Sequence, residues 1–260
     1  MNNKLQGWQL TASPRVKANF TGVGTTIVGY DFSKANQSGS NSYSPLSQTI
    51  ILANQNADNG GSYFNNLTSD SQNATQINNS VYVMQKVPLG KIFDASGGFR
   101  RQVQQASASS TNIAAANGTV SSNQQYAANA GDIALNANYL PGQRVYMKWN
   151  QSFRFPNIDE YWGLLYNPAT NTSTTVFSGI LQPQTTQTYE AGGNWSIWNS
   201  RITSSIFKSM TQNEISYNPA TGGNYNSIYQ TNRSGILLDI ASNITSSFNV
   251  GIGGKYQKSY

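Results

Sequence analysis

Cysteine and histidine are both absent from this chain of 260 residues. Without cysteine the protein has no disulfide framework and no thiolate metal ligand. Without histidine it has neither the Ser-His-Asp nor the Cys-His arrangement of nucleophilic enzymes, and no imidazole ligand for zinc. Because no other nucleophile–base pair or set of metal ligands occurs in the sequence, we expect no enzyme activity and no catalytic, metal-binding or cofactor-binding residue.

Charged residues are also scarce: they make up 10% of the chain, against about 25% in a typical soluble domain. The 16 lysines and arginines form no basic run, which argues against a nucleic-acid partner. No apolar run approaches the roughly 20 residues of a membrane-spanning helix. Residues 1–8 also lack the apolar core of a signal peptide. Small polar residues and aromatics are abundant instead, as in outer-membrane barrels, although a secreted β-sandwich can share this composition.

Strict alternation of apolar and polar residues is the main pattern in the sequence. Between residues 144 and 153 one face carries Val145, Met147, Trp149 and Phe153, and the other carries Tyr146, Lys148, Asn150 and Ser152. Residues 132–139 alternate in the same way, and Pro141-Gly142 between the two segments is a turn signal. The two segments therefore predict an antiparallel hairpin.

Further hairpins follow the same scheme, with strand segments near residues 8–13 and 28–32, 81–87 and 93–100, 189–197 and 202–210, and 236–240 and 248–253. The pattern does not decide which side chains of 81–87 and 202–210 share a face. Carboxylates alternate with apolar residues in several segments and are expected to face an enclosed lumen. These lumen residues are Asp31, Asp94, Asp132 and Asp239, and Arg100, Lys148 and Glu190 can pair across the strands.

The connections between the predicted strands also alternate in length. Short turns are expected near residues 89–90, 141–142, 199–200 and 243–246, and long polar stretches over 34–79, 104–126, 155–183 and 216–228. Short turns at one end and long loops at the other are typical of outer-membrane barrels. The sequence therefore predicts an all-β fold: an antiparallel up-and-down transmembrane β-barrel, present as about ten strands of a larger barrel, with short periplasmic turns and long extracellular loops.

Several motifs in the right order resemble one protein family. Residues 153–161, FRFPNIDEY, resemble the FR-x-P-x-x-x-E-L segment of TonB-dependent siderophore receptors. Residues 181–192, LQPQTTQTYEAG, resemble their L-x-P-E-x-x-x-x-Y-E-x-G segment, and residues 213–215 and 233–236 resemble N-x-I and R-x-G-I-E. The sequence departs from the pattern at Gln184, where the family usually has glutamate, and at Trp162, where a Leu-Tyr pair is common.

The resemblance implies a partial barrel domain over residues 1–260, without the plug domain and without the last strands of the family barrel. It implies a receptor in the bacterial outer membrane that imports iron–siderophore complexes or similar nutrients. Its partners would be outer-membrane lipid, a ferric siderophore or other small nutrient, and the TonB complex, reached through the missing plug. A passive outer-membrane porin and a secreted β-sandwich binding module remain the alternatives.

The motif residues are interpreted as mainly architectural, because a strand-ending proline and glycines that allow close packing serve the barrel itself. This set comprises Phe153, Arg154, Pro156, Asn157, Glu160, Leu181, Pro183, Tyr189, Glu190, Gly192, Asn213, Arg233 and Gly235. A second set lies in the following loop and is predicted to contact ligand, because cations suit anionic chelates and aromatic rings suit catechol or acyl groups. That set comprises Arg154, Tyr161, Trp162 and Tyr166.

Overall fold

The computed structural model describes residues 2–43, 68–112, 118–167 and 172–260. One large antiparallel sheet dominates it. Its strands are β1 (Asn2–Ala12), β2 (Arg15–Phe20), β3 (Gly24–Tyr43), β4 (Thr68–Leu89), β5 (Phe93–Asn112), β6 (Gly118–Leu140), β7 (Gln143–Arg154), β10 (Gln184–Ile197), β11 (Ser200–Gln212), β14 (Thr231–Asn243) and β15 (Asn249–Ser259). Two small hairpins stand apart from it, β8 (Trp162–Asn167) with β9 (Thr172–Phe177) and β12 (Ile215–Asn218) with β13 (Gly223–Asn226).

Each strand of the large sheet pairs with the next one along the chain, in the order β1-β3-β4-β5-β6-β7-β10-β11-β14-β15. β2 continues the line of β1 beside β3, after an interruption at Ser13 and Pro14. Proline lacks a backbone donor, so a break in the ladder is expected there. The sheet is therefore up-and-down and antiparallel with about ten strand positions, which confirms the predicted architecture. Among the described residues no helix has the length and apolarity needed to cross a bilayer.

The two faces of the sheet differ in character. The apolar face carries Val145, Met147 and Trp149 of β7 and the residues directly opposite them on the neighbouring strands. The polar face carries Tyr146, Lys148 and Asn150 and the residues directly opposite those. Side chains of the apolar face are left open to the surroundings, with Met147 68% exposed and Ile252 70% exposed. No second sheet covers this face in the described part of the chain, so the β-sandwich alternative does not hold.

The sequence pattern left open which side chains of residues 81–87 and 202–210 lie on the apolar face, and the strand registers answer this. Val83 lies opposite Val28 and so belongs to the apolar face, which places Tyr82 on the polar face opposite Gly29. Phe207 likewise lies on the polar face, opposite Gly235. A Cβ added at Gly29 would lie 2.3 Å from the Tyr82 ring, and one at Gly235 would lie 2.9 Å from the Phe207 ring. An aromatic ring over a glycine of the neighbouring strand therefore explains why these segments did not alternate cleanly.

The predicted loop boundaries were wrong for two connections. The stretches 34–79 and 104–126 were predicted as loops, but β3, β4, β5 and β6 run far into them and are 20 to 23 residues long. A tilted spanning strand needs only about 9–11 residues, so these strands project well beyond a bilayer. Here both faces of the sheet are polar, and the alternation that marks a strand in the sequence disappears. The backbone pairing continues without interruption, and side-chain amides add hydrogen bonds between strands, such as Asn36 with Asn73 and Gln104 with Asn78.

Candidate functional site

The chain turns sharply after β7, at the end of the sheet that carries the long connections. Nη1 of Arg154 lies 2.8 Å and 2.7 Å from the two carboxylate oxygens of Glu160. The same carboxylate accepts a hydrogen bond of 2.8 Å from the backbone N–H of Asn157. Pro156 is buried between these residues. The FR-x-P-x-x-x-E motif is therefore an elbow, which ends β7 and starts a single 3-10 turn, Ile158–Tyr161.

The elbow places Tyr161 against the polar face of the sheet. Tyr161 is fully buried and packs in a cluster with three alanines of β4 and β5 and with the connection that leads into β10: Ala74, Ala106, Ala108 and Ile180. The side-chain amide of Gln76 donates one hydrogen bond to the Tyr161 hydroxyl oxygen and another, of 2.8 Å, to the carbonyl of Pro156. Burial raises the pKa of Tyr161 to about 12, although the hydrogen bond from Gln76 acts in the opposite direction.

A second connection, between β11 and β14, is fastened to the first by two asparagines of β13. The side-chain amide of Asn224 donates hydrogen bonds of 2.9 Å and 3.0 Å to the carbonyls of Glu160 and Trp162. Asn226 donates to the carbonyls of Gln182 and Asn213 and accepts from the backbone N–H of Gln182. We call this pair, Asn224 and Asn226, the asparagine clamp. The asparagine clamp forms hydrogen bonds with backbone groups of three segments, at residues 160–162, 182 and 213.

The base of the second connection is held by an ion pair. Arg233 of β14 donates a 2.5 Å hydrogen bond to Glu214, and it also donates to Thr211 at 3.4 Å. Burial acts to raise the pKa of Glu214, but hydrogen bonds from Thr231 and Arg233 outweigh it and hold the pKa below its usual value. Asn213 beside it has a φ of 53°, a left-handed conformation that asparagine tolerates better than most residues.

The wall below these connections is polar and internally paired. Arg100 and Asp31 form an ion pair of 2.8 Å across strands, with Tyr82 beside the guanidinium, as the sequence predicted for Arg100. Glu190 accepts a 2.5 Å hydrogen bond from the hydroxyl of Tyr146. A pocket of about 410 Å³ lies on this wall, and Asp31, Arg100 and Asp132 are among the residues that line it.

The structure brings some of the predicted motif residues together at the elbow and leaves others along the strands, and it does not test the roles proposed for them. Arg154, Pro156, Asn157 and Glu160 form the elbow. Phe153 contacts Phe155 edge to face, and Leu181 is buried while Pro183 is half-buried. Tyr189 stands on the apolar face at 50% exposure, with Glu190 on the polar face. Gly192 allows the Tyr146 hydroxyl to approach, Gly235 lies under Phe207, and Asn213 and Arg233 fasten the second connection.

Of the residues predicted to contact ligand, three can be placed. Trp162 is half-buried and packs on Phe177 with ring centroids 5.0 Å apart. Arg154 is engaged by Glu160, and Tyr161 has no exposed surface, so direct contact between Tyr161 and a ligand would require the connection to move. The side chain of Tyr166 lies outside the described residues. Ligand contact by these residues therefore stays a prediction.

Sequence reasoning missed the residues that dock the connections. Gln76, Asn224 and Asn226 each lie in a polar stretch crowded with asparagine, glutamine, serine and threonine, where no spacing distinguishes one amide from another. Within the part of the chain that the structure describes, no group of three or more carboxylates is placed to hold a metal ion.

The chain matches one protein family and is similar in structure to several solved outer-membrane receptors and transporters. Residues 2–259 match the family model described as TonB dependent receptor-like, beta-barrel. No curated protein sequence matches the chain. Among solved structures, the ferric-catecholate import receptor Fiu from K12 E. coli is 17% identical with a TM-score of 0.68. The ferric yersiniabactin uptake receptor FyuA from Yersinia pestis is 14% identical with a TM-score of 0.71. The copper transporter OprC is 15% identical with a TM-score of 0.66.

These three structures share a fold with the chain over most of its length. Each comparison covers 99% of this chain, but only 38% of Fiu, 36% of FyuA and 38% of OprC. The chain therefore spans well under half the length of the proteins it resembles. At such low identities the likeness establishes the fold, whereas ligand and mechanism have to be argued from this chain's own residues.

Proposed function

Because the chain belongs to the family of TonB-dependent receptor-like β-barrels, we propose that the full-length protein is an outer-membrane receptor that imports iron–siderophore complexes or a similar scarce nutrient. The membership confirms the family resemblance of the motifs and gives an outer-membrane location. In this proposal the ligand binds from outside, a plug within the barrel rearranges, and the TonB complex of the inner membrane supplies the work. The similar structures include importers of ferric catecholate and ferric yersiniabactin and a copper transporter, which supports a metal-bearing ligand.

The observation that carries the proposal is the docking of two long connections over the polar face. The elbow, the buried Tyr161 and the asparagine clamp hold these connections against the wall of the lumen instead of leaving them free in solvent. A receptor needs a defined surface there for its ligand, and the docked connections provide one. Together with the family membership, this arrangement supports a receptor.

Within that surface, Trp162 is the aromatic side chain best placed to meet a ligand. It is half-buried, it sits directly after the elbow, and its ring lies beside Phe177. Ferric chelates that carry aromatic or acyl groups would stack on such a pair, and Arg154 would add a cation to the same region. Trp162→Ala should therefore weaken ligand binding and leave the barrel intact. Trp198→Ala is the matched control, because Trp198 is 98% exposed in the short turn at the opposite end of the sheet.

Uptake in cells tests the whole proposal. A strain that lacks the gene, complemented with the full-length protein, would be starved of iron and supplied with radioactive iron as catecholate, hydroxamate or phenolate chelates, with radioactive copper as a further arm. We expect accumulation of at least one iron chelate that is lost when the TonB gene is deleted. Equal accumulation with and without TonB would support a porin. Accumulation of copper alone would agree with a receptor function but would refute the assignment of an iron–siderophore ligand.

A further inference from the structure

Lysine and arginine are missing from all four long connections of the chain. The stretches that contain these connections and the strand ends beside them, residues 35–80, 102–130, 155–183 and 209–232, hold none of the 16 cationic residues. Their carboxylates are Asp58, Asp70, Asp159, Glu160 and Glu214. The end of the sheet that carries the long connections is therefore poor in cations, although the chain as a whole has a formal net charge of +6.

The cations that border these four stretches are divided between the two faces of the sheet. The strand registers place three of them on the apolar face, away from the lumen: Lys34, Arg101 and Lys208. The same registers place the other three on the polar face: Arg100, Arg154 and Arg233. A ligand above the polar face therefore has these three arginines as its nearest cations from the described strands.

Each of the three arginines is paired with a carboxylate. The distances are 2.8 Å from Arg100 to Asp31, 2.7 Å from Arg154 to Glu160 and 2.5 Å from Arg233 to Glu214. An anionic ligand would have to compete with a carboxylate that is already in place, so these guanidinium groups offer hydrogen-bond donors without an excess positive charge. With the three pairs cancelled, the carboxylates that remain in the four stretches give them a net negative charge.

The wall below the connections also has more carboxylates than cations. The charged residues that line its pocket of about 410 Å³ are Asp31, Asp132 and Arg100. Farther along β7 toward the short turns, Lys148 lies opposite Glu190. Charges of like sign repel over about 8 Å at physiological ionic strength, so a ligand with several negative charges would be disfavoured along this wall.

The surface offers aromatic rings and neutral amides instead. The rings of Trp162 and Phe177 lie 5.0 Å apart at the first connection. On the wall, the side-chain amides of Gln102 and Gln104 both donate to the side-chain oxygen of Asn78. Aromatic and amide groups suit a ligand that is polar and uncharged, with apolar linkers that can pack on the rings.

We infer that this surface recognises an uncharged metal chelate of the ferric tris-hydroxamate class. The inference rests on the proposed function and names the ligand for it. Three hydroxamates balance the charge of a ferric ion, whereas three catecholates leave the complex with three negative charges. The linkers of the chelate pack on Trp162 and Phe177, and amide side chains donate hydrogen bonds to the oxygens around the iron. Arg154 adds further donors, while Glu160 balances its charge.

Two probes built on one scaffold test the inference with the full-length protein in detergent micelles. A synthetic tripodal chelator carries three hydroxamates in the first probe and three catecholates in the second, and both are loaded with ferric iron. Isothermal titration calorimetry measures their affinities. We expect the wild type to bind the ferric tris-hydroxamate at least about tenfold more tightly, which is a difference of about 1.4 kcal/mol. The affinity for this neutral probe should change little between low and physiological ionic strength.

A reversal of charge beside the elbow tests the electrostatic cause. Asp159 is an exposed carboxylate of the 3-10 turn, and Asp159→Lys replaces it with a cation. At low ionic strength this variant should bind the ferric tris-catecholate about threefold more tightly or better, while its affinity for the neutral probe stays within about twofold of the wild type. Asn199→Lys is the control, because it places a cation at an exposed position in a short turn at the opposite end of the sheet. It should leave both affinities unchanged.

Three results would overturn the inference. Equal or tighter binding of the tris-catecholate by the wild type would overturn it alone, because a receptor that prefers an anionic ferric chelate still has the proposed function. An equal effect of Asp159→Lys on both probes would also overturn it, since charge would then not distinguish the two ligands. Binding of neither probe, by protein shown to be folded by its unheated migration in a denaturing gel, would overturn the inference. Uptake of another iron chelate in cells would then leave the proposed function standing.

Discussion

Gln76 and Tyr161 lie 85 residues apart in the sequence, yet the side-chain amide of Gln76 donates a hydrogen bond to the hydroxyl oxygen of Tyr161 in a buried position. The second proton of the same amide goes to the carbonyl of Pro156. The side chain of one glutamine in the sheet therefore donates hydrogen bonds to both ends of the elbow that follows β7. The position of the first connection depends on this contact and on the apolar pocket around the ring.

Removing the Tyr161 ring should release the connection over residues 155–183. Tyr161→Phe keeps the ring but leaves an amide proton of Gln76 without its partner, which should destabilise the docked connection by about 1 kcal/mol. Tyr161→Ala also leaves a cavity and should cost about 3 kcal/mol or more. Hydrogen–deuterium exchange of the full-length protein in nanodiscs would show faster exchange there for Phe and much faster exchange for Ala. Tyr229→Phe, at a residue that is 76% exposed, is the control and should change nothing.

The asparagine clamp can be tested by a change of one atom type. In Asn224→Asp the side chain keeps its shape, but an oxygen replaces the amide nitrogen that faces the carbonyls of Glu160 and Trp162. Two attractive contacts become repulsive, so exchange should rise in both the 155–183 and the 213–230 connections. Asn218→Asp is the control, because there the side-chain oxygen is the acceptor, bonded to the backbone N–H of Ala220, and aspartate retains it. Similar exchange in the two variants would refute the clamp.

The apolar face should reject a cation in the region buried by lipid. Met147 is 68% exposed on that face, and Met147→Arg should lower the free energy of unfolding in lipid vesicles by about 2–4 kcal/mol if it lies near the midplane. Asn150→Arg is the control on the same strand, since Asn150 lies on the polar face opposite Asp132, which can pair with the new cation. Urea titration of both variants in vesicles measures the difference. An equal loss in the two would contradict the contact of the apolar face with lipid, and a larger loss for Asn150→Arg would mean that the faces are assigned the wrong way round.

The sequence predicted the sheet where one face meets lipid and failed where neither face does. Alternation in β7 and β10 identified strands, faces and hairpins, because lipid demands apolar side chains at every second position. Beyond the bilayer, β3 to β6 continue with polar side chains on both faces, and the sequence offers no period to detect. The aromatic rings of Tyr82 and Phe207 confused the pattern for a different reason, as they fill space over glycines on the polar face.

The candidate site was predictable only where a motif marked it. The motif identified Arg154, Pro156 and Glu160, and the structure shows the elbow that they build. Gln76 and the asparagine clamp lie far from the motif in sequence, and their importance comes from which carbonyls they face. That information belongs to the tertiary arrangement of two connections, so it could not be obtained from residue type or spacing.

The Glu214–Arg233 pair predicts how the second connection responds to acid. The folded-state pKa of Glu214 lies below its usual value of 4.5. A carboxylate of this kind stabilises the docked state fully above the ordinary pKa, and the contribution is lost as the pH falls through the lowered one. Exchange protection over 213–230, corrected for the intrinsic rate at each pH, should therefore be constant near neutrality and should fall below about pH 4.5.

Two variants separate this carboxylate from the general effects of acid. Glu214→Gln removes the charge at every pH, so its protection over 213–230 should be lower than that of the wild type at neutral pH and should change less on acidification. Asp159→Asn serves as the control, because Asp159 is an exposed carboxylate of the other connection and its loss should preserve the wild-type response. If Glu214→Gln and the wild type lose protection in parallel, the acid response arises elsewhere in the receptor, and the ion pair at the base of β14 does not hold the connection in place.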